Sequence, residues 1–174
     1  MKLICQVLAS VLLAIGVVAE LDDGVLLGES FGEPHGNKYS DLDLIGPGQT
    51  VQSVSIRAAK RVDAVIFEII DSSGLPSTLH HGGHGGDKTT LLLDEDEYIT
   101  QWEAQWGDDG DRIEYIAFTT NKGNTISGGT TTGNSGKDRA PKGYQLGGFI
   151  GYSGRELDMA GAIWTSIDQV VTQT

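Results

Sequence analysis

Residues 148–158 read GFIGYSGRELD. They end one strand-like run, residues 143–151, and begin another, residues 157–167, and the glycines between the two runs favour a tight turn. Runs of the same kind recur along the chain, each bounded by Gly, Pro, Asn or Asp. Helix signals are nearly absent, so the pattern predicts a single antiparallel all-β domain.

The earlier strand-like runs show the two-residue alternation of strands that bury one face. Val54 and Ile56 share a face, as do Ile116 and Phe118. Residues 123–142 are rich in Gly, Thr and Ser and predict a short strand followed by a long surface loop. The predicted runs are residues 39–45, 51–58, 62–70, 89–93, 98–106 and 112–120. A glycine-rich loop is predicted after the run at residues 62–70.

Composition agrees with this fold class. The chain has 174 residues, enough to bury a core without disulfides or metals. Its 25 glycines are about twice the average share, and they show no Gly-X-Y period, which excludes collagen. Many glycines among short Val/Ile/Thr-rich runs indicate many tight turns.

The charge of the chain limits its partners. There are 12 basic and 24 acidic residues, which gives a formal net charge of −12 at pH 7. Nucleic acids and anionic membranes both require a basic surface. The sequence therefore argues against binding to either.

The N-terminus has the pattern of a secretory signal peptide, residues 1–19. One lysine precedes an apolar run, and the small residues Val17 and Ala19 predict cleavage after Ala19. The alternative is a signal anchor, but the run is short for a membrane span. Cys5, the only cysteine, lies inside this segment. The mature chain would then be secreted, would not insert into membranes, and would have neither thiol catalysis nor disulfides.

No catalytic or metal-binding pattern stands out. His80, His81 and His84 are possible metal ligands, but the surrounding glycines disfavour the helix that would bring His80 and His84 together. The chain has no G-x-S-x-G elbow, and no spacing marks a pair of catalytic carboxylates. Residues 108–111, DDGD, are too short for an EF-hand loop and predict a hairpin turn. We expect a protein that is not an enzyme and needs no cofactor or metal. The rival hypothesis is an enzyme or metalloprotein that uses the histidine loop.

Several glycine-bearing segments, in this order, resemble the jacalin-related lectins. The first runs from Gly32 to Asp41 and the second is GGHGG, residues 82–86. They are followed by DEYI, residues 96–99, then FTTN, residues 118–121, and finally the stretch quoted at the outset. The resemblance covers residues 27–167. It leaves residues 20–26 as an N-terminal extension and residues 168–174 as a tail.

This resemblance implies a β-prism of type I, in which three four-stranded Greek-key sheets surround a pseudo-threefold axis. It also implies a non-catalytic lectin that binds glycans through preformed loops. A carboxylate accepts hydrogen bonds from adjacent sugar hydroxyls, and glycine lets the backbone approach the ligand. Trp106, by a third loop, is a candidate for stacking on a sugar face, whereas Trp102 and Trp164 are expected to be packed. The implied site residues are Gly36, Gly154, Arg155, Glu156, Asp158 and Trp106.

The site also departs from the family pattern. Glu33 and His35 stand where members often have glycine, so the first loop is expected to have a different shape. Galactose-binding members resemble a version with aromatics at the positions of Arg155 and Glu156 and a chain cut just before Gly36. Neither feature is present here, which favours mannose or glucose over galactose. Useful avidity would come from a homo-oligomer or multivalent glycans. The altered first loop leaves an alternative, a secreted effector or protein-interaction module that has kept the prism and lost sugar binding.

Overall fold

The computed structural model describes residues 21–108 and 112–170, and these residues form three four-stranded antiparallel sheets without a helix. No helix in this part of the chain is long and apolar enough to cross a membrane. The predicted all-β class and the three-sheet prism are confirmed. In chain order the strands are β1 (Val25–Gly32), β2 (Asn37–Ser40), β3 (Thr50–Ala58), β4 (Val62–Ile70), β5 (Pro76–Gly82), β6 (Asp87–Leu92), β7 (Ile99–Trp106), β8 (Ile113–Thr120), β9 (Thr125–Gly129), β10 (Asn134–Arg139), β11 (Tyr144–Ser153) and β12 (Leu157–Ser166).

Each sheet has a hairpin at its centre and one strand on either side. The strand orders are β1-β12-β11-β2, β5-β4-β3-β6 and β10-β7-β8-β9. The first sheet therefore joins the two ends of the domain, while the other two are built from continuous segments. The three central hairpins are β11–β12, β3–β4 and β7–β8, and their turns carry the side chains of the candidate site.

The core lies where the inner faces of the three sheets meet. Phe149 of β11 lies 4.8 Å, between ring centroids, from Trp102 of β7 and 5.6 Å from Phe67 of β4. Phe118 of β8 completes the cluster, at 5.8 Å from Phe67. All four side chains are buried. Each sheet thus contributes an aromatic ring to one continuous core, which stabilises the prism without disulfides.

The alternation read from the sequence is confirmed in the central strands. Val54 and Ile56 of β3 are buried, and so are Ile116 and Phe118 of β8. Trp102 and Trp164 are packed as expected, at 0% and 2% exposure. Central strands bury one face against the core, so their apolar period is strong.

The peripheral strands are where the sequence prediction was wrong. Residues 123–142 form two strands, β9 and β10, rather than one strand and a long loop. β5 lies in the segment expected to be a glycine-rich loop, and β1 begins at Val25. These are edge strands, held on one side only, so backbone pairing needs no continuous apolar pattern from their sequences.

The run predicted at residues 39–45 ends as a strand at Ser40. Asp41, 1% exposed, turns inward. Its Oδ2 atom accepts hydrogen bonds from the backbone N–H of Phe149 and from the His81 ring, both at 2.8 Å. The predicted leader, residues 1–19, lies outside the described residues, as do residues 109–111 of the DDGD turn and the last four residues of the tail.

Candidate functional site

The β11–β12 turn and the start of β12 hold four of the predicted site residues. Gly154 donates its backbone N–H to the carbonyl of Glu156 at 2.9 Å, which closes the turn and leaves Arg155 exposed at its tip. Asp158 follows as the second residue of β12 and is 3% exposed. The turn and strand register thus place a carboxylate directly beneath a glycine turn.

The loop between β1 and β2 covers the same carboxylate from the other side. Gly36 has φ +75°, and a Cβ there would lie 2.6 Å from both Asp158 Oδ2 and the carbonyl oxygen of Ser153. Only glycine fits this close approach. Glu33 and His35, which replace glycines in this loop, do not prevent the close approach of Gly36 to Asp158. Glu33 donates its N–H to the Asp158 carbonyl at 3.3 Å, and the Glu33 carbonyl accepts the N–H of His35. We call residues 32–36 and 154–158 the Asp158 corner.

A cavity of about 410 Å³ opens at the Asp158 corner. The structure therefore brings together the predicted residues Gly36, Gly154, Arg155, Glu156 and Asp158. It adds two arginines that the sequence interpretation had missed. Trp106 instead stacks on Phe31, with ring centroids 5.8 Å apart and planes at 11°. The cavity is lined by Gly36, Arg61, Arg112, Gly154, Arg155, Glu156 and Asp158.

The two arginines reach the Asp158 corner from the other two sheets. Arg61, in the β3–β4 turn, donates to both oxygens of Glu156 at 2.9 and 2.8 Å. Arg112, just before β8, donates Nε to Glu156 at 3.1 Å and places Nη1 3.0 Å from Asp158 Oδ1. Fork-shaped pairs of this kind fix both position and orientation. Glu156 thus bridges the turns of all three central hairpins.

The β3–β4 turn repeats the backbone arrangement of the Asp158 corner. Ala59 donates its N–H to the carbonyl of Arg61 at 3.1 Å, as Gly154 does to Glu156. Gly86, with φ +62°, would place a Cβ 2.6 Å from Asp63 Oδ2, the distance found between Gly36 and Asp158. Gly83 donates its N–H to the Asp63 carbonyl at 2.9 Å. We call residues 59–63 and 82–86 the Asp63 corner.

The glycine contact of the two corners recurs at the start of β8. Thr130 donates its N–H to the Glu114 carbonyl at 2.8 Å, and Gly129, with φ +92°, packs against the same oxygen. The sequence carries this repetition as GRELD at residues 154–158, AKRVD at 59–63 and GDRIE at 110–114. The third residues of these three pentads are Glu156, Arg61 and Arg112. Aligning these pentads would have revealed the two arginines.

The Asp63 corner opens into a second cavity, of about 590 Å³. Burial and the neighbouring Glu156 carboxylate raise the pKa of Asp63, while Arg61 and Arg57 act in the opposite direction. Arg57 also donates to the carbonyls of the glycine loop, among them Gly86 at 3.1 Å. The two cavities share one wall, the exposed tip of the β11–β12 turn. Asp63, Gly82, Gly83, His84, Gly85, Gly154, Arg155 and Glu156 line the second cavity.

The three histidines considered as metal ligands divide into one buried ring and an exposed pair that lies close together without a helix. His81 is buried, hydrogen-bonded to Asp41 and stacked on Tyr39 at 3.9 Å between centroids. His80 and His84 are exposed, with rings 5.2 Å apart and nearly perpendicular. Within residues 21–108 and 112–170, no group of three His, Cys, Asp or Glu side chains is placed to hold a metal ion.

Tyr39 of β2 joins two sheets, because its ring stacks on His81 of β5 and its hydroxyl reaches β12. Its hydroxyl donates to the Met159 carbonyl at 3.0 Å. Burial raises the pKa of Tyr39 well above its ordinary value, and the Asp41 and Asp158 carboxylates raise it further. The phenol therefore stays neutral and acts as a hydrogen-bond donor at this sheet boundary.

Chemically, the Asp158 corner offers a charged acceptor in a glycine cradle, with guanidinium donors on the cavity wall. Such a set suits a ligand with adjacent hydroxyl groups, because each hydroxyl both donates and accepts. A charged acceptor also makes the stronger kind of hydrogen bond. The arrangement is one for binding polar ligands at a surface.

Comparison with known proteins agrees with this geometry. A family model described as "Jacalin-like lectin domain" matches residues 28–163. Secreted RxLR effector protein 19 of Plasmopara viticola is 29% identical over 171 residues, which is 94% of each chain. The structure of Malaysian banana lectin superimposes with a TM-score of 0.71 at 26% identity, covering 82% of this chain and 99% of the lectin. A mannose binding jacalin related lectin from Ananas comosus gives a TM-score of 0.70 at 20% identity, with the same coverage.

Proposed function

The chain belongs to the family of jacalin-like lectin domains, and from that premise we propose that it is a secreted lectin that binds glycans of the mannose or glucose type at the Asp158 corner. It binds through preformed loops and catalyses no reaction. The observation that carries the proposal is the Asp158 carboxylate, whose Oδ2 atom is enclosed by Gly36 beneath an open cavity.

In this proposal the ligand's hydroxyls take up the hydrogen bonds of the corner. Asp158 accepts from a hydroxyl pair, and the backbone N–H groups of Arg155 and Glu156 donate to the same part of the sugar. Gly36 leaves room for the sugar on the opposite side of the cavity, because any side chain at this position would collide with the Asp158 carboxylate. Trp106 is the remaining sequence candidate, and its stacking on Phe31 makes it a support of the β1–β2 loop in this scheme.

Specificity for mannose-type glycans is supported by a structurally similar lectin and by the sequence of the β11–β12 turn. The lectin from Ananas comosus is described as mannose binding, and the turn of this chain carries Arg155 and Glu156 instead of aromatic residues. A shallow polar site gains little from one sugar, so we expect dissociation constants on the order of millimolar. Stronger binding then requires a homo-oligomer or a multivalent glycan.

Secretion is part of the same proposal. The apolar leader, residues 1–19, has the n-region, core and small-residue cleavage site of a signal peptide. The relative from Plasmopara viticola is named as a secreted effector. When the gene is expressed in a secreting eukaryotic host, the protein recovered from the medium should begin at Glu20 by intact mass.

The decisive experiment compares two carboxylates that share a backbone setting. Purified wild type, Asp158→Asn and Asp63→Asn are applied to a glycan array and titrated with methyl α-mannoside. Losing the charged acceptor should weaken binding of Asp158→Asn by about 10- to 100-fold. Asp63→Asn should bind within about twofold of wild type, since Asp63 does not line the cavity above Asp158. Melting temperatures confirm that both variants are folded.

Binding that is lost in Asp63→Asn and kept in Asp158→Asn would move the site to the Asp63 corner. Binding indifferent to both substitutions would contradict a site at either carboxylate. A response to galactose alone would contradict the mannose type while leaving the lectin proposal intact.

A second candidate function is a secreted protein-interaction module that has lost sugar binding. The observation in its favour is the ion pair between Arg112 and Asp158, which leaves only 4% of the Asp158 side chain exposed. The effector relative, similar over 94% of both chains, points the same way. A folded wild type without signal for any glycan would favour this candidate over the lectin.

A further inference from the structure

Arg112 contacts the atom that a sugar would need. Its Nη1 atom lies 3.0 Å from Asp158 Oδ1, while its Nε atom donates to Glu156 at 3.1 Å. The Arg112 side chain is 32% exposed, and the carboxylate beneath it is 4% exposed. A guanidinium from another sheet therefore covers the carboxylate of the proposed site.

The two oxygens of Asp158 have different surroundings. Oδ1 faces Arg112, and Oδ2 faces the backbone of Gly36. Two adjacent hydroxyls of a sugar fit one carboxylate best when each donates to a different oxygen. A neutral hydroxyl replaces a charge-assisted hydrogen bond at Oδ1 only if Arg112 gives way, since bonds between charged partners are the stronger ones.

Arg112 has a second partner that stays in place when Asp158 is released. Glu156 accepts its Nε and is itself fixed by two bonds from Arg61. The guanidinium can turn its Nη1 away from Asp158 while its charge remains paired with Glu156. The movement is thus a side-chain rearrangement that leaves the cradle backbone unchanged.

From this geometry we infer that Arg112 competes with the glycan for Asp158 and sets the affinity and selectivity of the site. This rests on the proposed function, because it concerns the same carboxylate. The site binds a sugar only in the fraction of molecules in which Arg112 has released Oδ1, so the observed dissociation constant is the intrinsic one divided by that fraction. Ligands that bring a hydroxyl pair able to displace the guanidinium are selected over those that present a single hydroxyl.

The test removes the competitor and compares it with a matched arginine. Wild type, Arg112→Gln and Arg139→Gln are titrated with methyl α-mannoside by NMR chemical-shift perturbation. Arg139 is the control because it is an exposed arginine of β10 that does not line the cavity at Asp158, whereas Arg112 is the guanidinium at Asp158 Oδ1. We expect Arg112→Gln to bind about five- to tenfold more tightly than wild type, and Arg139→Gln to stay within about twofold.

Two further variants make the result unambiguous. Arg112→Gln combined with Asp158→Asn should lose the gain, which shows that it acts through this carboxylate. Arg112→Lys keeps a cation without the fork, so its affinity should fall between those of wild type and Arg112→Gln; it also serves if Arg112→Gln does not fold. Melting temperatures are recorded for all variants, since damage to the fold would lower affinity and not raise it.

The outcomes separate this inference from the proposed function. If wild type binds and Arg112→Gln binds equally or more weakly, Arg112 is not a competitor and the lectin proposal stands. If wild type is silent and Arg112→Gln binds, the inference is supported and the protein carries a latent site. If neither protein binds any probe sugar, the proposed function fails and the inference fails with it.

Discussion

The Asp158 corner and the Asp63 corner have the same backbone and differently exposed carboxylates. In both corners, a glycine with positive φ lies against the main-chain oxygen of the acid. A Cβ added to a second glycine would lie 2.6 Å from the acid's side-chain oxygen. At the Asp158 corner a guanidinium covers the carboxylate, whereas Asp63 is half-buried and lines the larger cavity. The backbone builds the cradle, and single side chains decide whether it is open.

The side chain that differs is the third residue of each turn. Glu156 occupies this place beside Asp158, and Arg61 occupies it beside Asp63. Opposite charges stand at equivalent positions of the turns, and Arg61 and Arg112 both form ion pairs with Glu156. Arg112 reaches Asp158 as a consequence. An internal repeat therefore produced equivalent backbones and a non-equivalent electrostatic setting.

The largest effect is expected from substitutions that break the shared backbone. Gly32→Ala and Gly82→Ala each place a Cβ at positive φ and against the carbonyl oxygen of the acid in the same corner, Asp158 and Asp63 respectively. Each should lower the free energy of unfolding by about 2–4 kcal/mol, through backbone strain and steric overlap. Urea denaturation measures both. A corner that tolerates alanine at no cost would break the equivalence of the two cradles.

A smaller effect should distinguish the corners by ligand binding. Gly36→Ala pushes a methyl group towards Asp158 Oδ2, and Gly86→Ala does the same to Asp63 Oδ2. Each should cost about 1–2 kcal/mol of stability because of positive φ. Only Gly36→Ala should abolish the response to methyl α-mannoside in the titration. Equal loss of binding in both variants would mean that the two corners hold one ligand together.

The smallest effect concerns the pH dependence of stability at the Asp63 corner. Burial and Glu156 raise the pKa of Asp63, so the folded protein holds this proton more tightly than the unfolded chain. The resulting stability is fully present below the unfolded pKa, about 3.9, and is lost as pH rises through the folded pKa. Asp63→Asn cannot ionise and avoids this loss.

Relative to wild type, Asp63→Asn should therefore gain stability between pH 3 and pH 7, by less than about 1 kcal/mol because the site is partly exposed. Urea denaturation at the two pH values gives the difference. A gain that is larger at pH 3 would reverse the assigned direction of the pKa shift.

The central strands could be predicted from the sequence, and the edge strands could not. β4 was predicted with its observed bounds because its apolar residues face the core. β10, by contrast, reads NSGKDR and is exposed on alternate residues, so it has no apolar period. It is a strand because its backbone pairs with β7 from Asn134 to Arg139. Pairing of this kind depends on a partner distant in sequence.

The candidate site was predicted only in its local part. Gly154, Arg155, Glu156 and Asp158 are neighbours in the chain, and the resemblance to a lectin family supplied Gly36 on the opposite wall. Trp106 was expected near the sugar from its place by a turn, yet β7 places it beside Phe31. Arg61 and Arg112 were missed because the pentads that contain them carry a signal only when they are aligned with residues 154–158.

By itself, the sequence determined the all-β class, the buried face of the central strands and the glycine turns, because alternation and backbone freedom are local properties. The tertiary structure alone decided which turns meet at one end of the prism and which charges pair there. Arg112 and Asp158 are far apart in the chain and 3.0 Å apart in space. Ion pairs and close glycine contacts depend on distance in three dimensions, and no pattern along the chain encodes that distance.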